Sequence, residues 1–101
     1  MEIKVTEKDN QTIIALNGML DSSSAADFQN VANQQLEKEN MNLVLDLEKL
    51  EYTSSQGIRT FLTLMKMAVS KQGKLVFRHI QPAVKEVFDI SGLTDAMTIE
   101  E

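Results

Sequence analysis

Apolar and polar positions alternate at Ile3-Lys4-Val5, the pattern of a half-exposed strand. A polar, turn-rich stretch, Glu7-Lys8-Asp9-Asn10-Gln11, follows. Thr12 to Leu16 then reads as a second strand closed by Asn17-Gly18. So short a connection pairs the two strands antiparallel, because parallel neighbours need a longer crossover. Ser22-Ser23-Ser24 offers three candidate N-caps, with Ser24 and Asp27 at capping-box spacing. Behind them Ala25, Phe28, Val31, Ala32 and Leu36 form one apolar stripe at helical spacing. Leu43-Val44-Leu45-Asp46-Leu47 is nearly continuous in apolar residues, as expected of a strand covered on both faces.

A long helix is predicted next. Ile58, Phe61, Leu62, Met65, Ala68 and Val69 fall on one face, and Arg59, Thr63, Lys66 and Ser70 on the other. Leu64 and Met67 lie off the stripe and read as exposed apolar contacts for a partner. Gly73 stands where a left-handed helix end belongs, and Lys74 to Arg78 is a further strand. Pro82 opens a short helix that turns Val84, Val87 and Phe88 inward and ends near Gly92. Met97-Thr98-Ile99 reads as a last short strand. The order is β-β-α-β-α-β-α with a terminal strand. Alternating strands and amphipathic helices imply an α/β domain, its sheet mostly parallel with an antiparallel N-terminal strand at or near an edge.

Composition narrows the function. The 101 residues suit one domain spanning 1–101. Without cysteine there is neither a disulfide nor a thiolate metal site. The net charge of −5 opposes sequence-independent binding to nucleic-acid backbones. The longest apolar run, Ile13-Ile14-Ala15-Leu16, is far too short to insert in a membrane, and no secretory signal opens the chain, so a cytoplasmic location is expected. Charge is nonetheless segregated. Arg59 to Lys85 holds six basic residues and no acidic one, leaving four basic against all fifteen acidic residues elsewhere. Such asymmetry orients a partner, or marks only the solvated faces of the elements.

In parallel α/β sheets functional groups gather beyond the carboxyl ends of the strands, where helix N-termini present free N–H groups. Asn17 to Ser24, Tyr52 to Gly57 and His79 to Pro82 all fall there. The segment Tyr52-Thr53-Ser54-Ser55-Gln56-Gly57 enters the long helix. Ser and Thr are favoured caps, and a hydroxyl at a helix start is also well placed to carry a phosphate. Asp21 is an N-cap, a turn residue or an interface residue.

Thr53-Ser54-Ser55-Gln56-Gly57-Ile58-Arg59 resembles the signature loop of the STAS domain as found in anti-sigma-factor antagonists. Leu16-Asn17-Gly18-Met19-Leu20-Asp21 is similar to the family's Gly-x-Leu-Asp motif. Gln81-Pro82-Ala83-Val84 through Ser91-Gly92-Leu93 is similar to its last helix and Ser-Gly-Leu ending. The resemblance implies a protein-binding switch and no enzyme. An anti-sigma factor that is also a serine kinase would phosphorylate the loop, the unphosphorylated form would bind that partner and free the sigma factor, and a serine phosphatase would reset it. The acceptor falls on Ser55, with Ser54, standing where the commoner loop has Asp, as the alternative and Thr53 as a third candidate. Asp21, Thr53, Ser54, Gln56, Gly57 and Arg59 are the implied partner-binding residues. The family's other setting is an accessory or docking subunit of a lipid or anion transporter or a stress-signalling complex.

Other chemistries find little support. Asp46, Ser55 and His79 suggest a hydrolytic set, yet no Gly-x-Ser-x-Gly turn surrounds the serine. No phosphate-cradling glycine loop is present, so no nucleotide cofactor is expected. One histidine among scattered carboxylates shows no metal-ligand spacing.

Overall fold

The computed structural model describes residues 1–38 and 41–100, apart from the Leu36 side chain. Leu36, the last predicted member of the first helical stripe, therefore lies outside the described side chains. The order is β1 (Glu2–Lys8), β2 (Gln11–Leu20), α1 (Ser22–Leu36), β3 (Asn42–Thr53), α2 (Ser55–Ser70), β4 (Lys74–Arg78), α3 (Pro82–Ile90), a 3-10 turn (Thr94–Ala96) and β5 (Ile99–Glu100). The sheet order is β1-β2-β3-β4-β5, with β1 antiparallel to β2 and the other pairs parallel. Asp9 and Asn10, both at positive φ, make the two-residue turn between β1 and β2, a conformation their short polar side chains tolerate.

Because strand order follows chain order, each right-handed crossover places its helix on the same side of the sheet. Phe28 of α1, Phe61 of α2, Phe77 of β4 and Phe88 of α3 meet in that single core. Phe61 is central, its ring centroid 5.2, 5.9 and 5.4 Å from those of Phe28, Phe77 and Phe88. Leu43, Leu45 and Leu47 join the same core, while Val44 and Val76 pair on the opposite face. β3 is buried on both faces, as its apolar run predicts, although the helices lie on one face alone. Val44 is buried among its sheet neighbours instead.

Two corrections concern local geometry. β2 does not close at Asn17-Gly18 but runs on to Leu20. Gly18, at φ +111°, lies within the strand, at the register shift between Gly18 and Met19. β3 carries an extra residue between the Ala15–Asp46 and Asn17–Lys49 pairs, and another between Gly18–Leu50 and Met19–Tyr52. At the end of α2 the left-handed residue is Gln72. Gly73 is needed for close approach, since a Cβ there would lie 2.7 Å from both the Cβ and the carbonyl oxygen of Met41.

The buried stripe of α2 is Gly57, Thr60, Phe61, Leu64, Met65 and Ala68. It is rotated from the predicted one. Leu64 is fully buried and unavailable to a partner, Met67 packs partly against the core, and Val69 is 80% exposed. β5 begins at Ile99, two residues later than predicted, although the Thr98 carbonyl already accepts the Phe77 N–H at 2.8 Å.

Candidate functional site: the paired helix entries

β2 and β3 end side by side, with Leu20 opposite Thr53, so the entries to α1 and α2 are adjacent. The Ser54 N–H donates to the Leu20 carbonyl at 2.7 Å and ties them together. Asp21 caps α1, accepting the N–H groups of Ser23 at 3.1 Å and Ser24 at 3.0 Å. The Ser24 hydroxyl accepts the Asp21 N–H at 2.9 Å, completing a capping box. The cap is therefore one residue before the predicted serine run, and the box is Asp21–Ser24 rather than Ser24–Asp27. The Ser24 N–H and the neighbouring hydroxyls hold the Asp21 carboxyl down from its usual 3.8 to about 2.

Ser54 caps α2, its Oγ accepting the Gly57 N–H at 3.3 Å. That hydroxyl is occupied by the helix it starts. Ser55, the first residue of α2, is exposed, and the first turn contains no acidic residue. Thr53 is only 3% exposed, and its hydroxyl donates to the Ser54 carbonyl at 3.2 Å. Gly57 is buried as well, its position facing Thr53 Oγ1 and the Leu20 side chain. Among the predicted residues, Asp21, Ser55, Gln56 and Arg59 are exposed and Ser54 is partly so, whereas Thr53 and Gly57 shape the loop from inside. The suggestion of Thr53 as a phosphate acceptor is accordingly corrected: its hydroxyl is enclosed.

Gln56 and Arg59 also line a hollow of about 300 Å³ between α1 and α2, with Ser22, Ala26 and Gln29 across from them. The Thr60 hydroxyl donates to Gln29 Oε1 at 2.9 Å, joining the two helices at its floor. Ala26 and Gln29 carry no signal in the sequence, because only the fold places them opposite the loop. Met19 and Tyr52, register partners that are 54% and 45% exposed, stand at the same end of the sheet. The hydrolytic set that the sequence argues against is not assembled either. His79 Nδ1 pairs with Asp46 Oδ1 at 3.1 Å, but Thr53 lies seven positions beyond Asp46 along β3, roughly 20 Å of strand.

The STAS domain family model matches residues 2–101. The chain belongs to the STAS domain family. It is 36% identical over 92 residues to BtrV, a candidate anti-sigma factor antagonist of Bordetella bronchiseptica, covering 91% of this chain and 79% of that protein. The anti-sigma-B factor antagonist of Listeria monocytogenes is 27% identical over 101 residues, 99% of this STAS chain and 89% of its relative. Among solved structures, the unphosphorylated anti-sigma factor antagonist SpoIIAA superposes with a TM-score of 0.80 at 19% identity, over 99% of this chain and 89% of that one. SpoIIAA of Bacillus in its phosphorylated form gives 0.77 at 18% identity, over 99% and 92%. These last two likenesses establish the shared fold. Among the described residues, no helix is long and apolar enough to cross a membrane.

Proposed function

We propose that this STAS protein is an anti-sigma-factor antagonist, a non-enzymatic switch in the cytoplasm whose contact surface is the paired entry to α1 and α2. The reading rests on one observation above the rest: Ser54 spends its hydroxyl on the cap, while Ser55 presents its own to solvent one residue later. A partner kinase would transfer the γ-phosphoryl group of ATP to Ser55 Oγ. The new O–P bond replaces the β–γ phosphoanhydride bond, ADP leaves, and the serine proton passes to the kinase base.

The phosphate adds about −1.5 to −2 charges and three acceptor oxygens. It would sit at the positive end of a 16-residue helix, one turn from Arg59, and so cost this chain little. The same charge beside the hollow would repel an acidic or apolar partner surface. Blocking one patch suffices, with no refolding of the domain. The partner is thus an anti-sigma factor with serine kinase activity, and a serine phosphatase restores the free hydroxyl.

Paired capture from native extract tests this. Ser55→Ala is expected to retain an ATP-binding kinase that Ser55→Asp loses, and wild type incubated with that kinase and ATP gains one phosphoryl group on Ser55. Equal capture by both baits, with no phosphorylation, would favour the docking-subunit role instead.

A further inference from the structure

The face of the sheet without helices brings together three donors that the chain keeps apart. Asp46 and Glu48 are two residues apart on β3. Arg78 is the register partner of Asp46, and His79 follows it directly. Regular alternation would turn His79 away from the face that Arg78 shares with Asp46. Its backbone instead adopts φ +59°, and its ring folds back against Asp46. One carboxylate oxygen from Asp46, one from Glu48 and one ring nitrogen of His79 lie within 4.8 Å of one another.

We propose that Asp46, Glu48 and His79 form a binding site for a divalent transition-metal ion of the zinc class, distinct from the helix-entry surface. An imidazole with two carboxylates suits a borderline cation, whereas magnesium and calcium prefer oxygen donors alone. Bonds of about 2.0–2.2 Å place adjacent ligand atoms roughly 3–3.5 Å apart, so the exposed Glu48 and His79 and the half-buried Asp46 need only close slightly around the ion. The hydrogen bonds accepted by Asp46 from Glu48 N–H and His79 both fall on Oδ1, leaving Oδ2 to turn toward a cation. Asp46 and Glu48 also line a hollow of about 300 Å³ shared with Glu2, Lys4, Asn17 and Lys49, which gives room for water to complete the coordination. Three carboxylates there outweigh two lysines. Arg78 is held by Glu100 at 2.7 Å.

The composition makes a clean test possible, because the chain has no cysteine and a single histidine. Zn²⁺ is titrated into wild type, Glu48→Gln and His79→Asn by calorimetry, with the imidazole and amide resonances followed by NMR. Asparagine tolerates the left-handed backbone of His79 but is a poor zinc ligand. Wild type is expected to bind one Zn²⁺ with a selective shift of the His79 ring, and each variant to bind at least about tenfold more weakly. Mg²⁺ should leave the ring signals unmoved. Equal affinity in all three proteins would place the ion elsewhere and overturn the proposal, as would the lack of saturable Zn²⁺ binding by wild type. The amide spectrum verifies each fold, and Glu48→Gln alone decides if His79→Asn is unfolded.

Discussion

The Ser54 N–H and the Leu20 carbonyl, 2.7 Å apart, join the last residue of β2 to the cap of α2. Through this bond the entries to the two helices form one surface. Asp21 follows Leu20 directly and Ser55 follows Ser54, so both exposed groups are positioned from the same link.

The two loop serines should separate by stability. Ser54→Ala removes the hydroxyl that satisfies Gly57 N–H and is expected to cost about 1 kcal/mol. Ser55→Ala touches an exposed position and should stay within about 0.5 kcal/mol of wild type. Urea unfolding at neutral pH measures both, and equal losses would contradict the division of roles.

Gly57→Ala should destabilise the loop from within. An added Cβ would lie 2.4 Å from Thr53 Oγ1 and 2.5 Å from Leu20 Cδ2, both buried. Overpacking of this kind costs roughly 1–3 kcal/mol. The midpoint of urea denaturation should fall accordingly, and a stability equal to wild type would refute the tight contact.

Asp21 makes the α1 entry sensitive to acid. Its folded-state pKa of about 2 lies below the ordinary 3.8, so the stabilisation is complete above about pH 4 and is lost as pH falls toward 2. The stability difference between wild type and Asp21→Ala should therefore shrink across that window and remain flat from pH 5 to 7. Denaturation at each pH checks the sign.

Phe61→Ala should be the most damaging single truncation among the four core aromatics, at about 3–5 kcal/mol, because its ring meets the other three. Val69→Lys provides the contrast: at 80% exposure it should change stability by less than about 0.5 kcal/mol. Thermal or urea unfolding ranks the pair.

Val69 also marks where sequence reading reached its limit. The alternation of strands and amphipathic helices, Pro82 at the start of α3 and Gly92 near its end were all legible because each follows from backbone chemistry. The helix phase of α2 was not. Its buried stripe runs through Gly57 and Thr60, whose small side chains allow close packing but carry no hydrophobic signal. The far end of β3 is hidden in the sequence because the first added residue puts Leu47 and Leu50 three apart, breaking the period of two. At the site, the hydroxyl-rich loop was visible in the chain. The cap on Ser54, the enclosure of Thr53 and the facing wall from α1 required the fold.

The sheet has a consequence for how the protein is made. Every strand lies beside its predecessor in the chain, and none is threaded between two already placed. A polypeptide leaving the ribosome could add each strand and its covering helix to a finished edge, in the order of synthesis. Assembly then demands no late search for a distant partner strand, a slow step in many sheets.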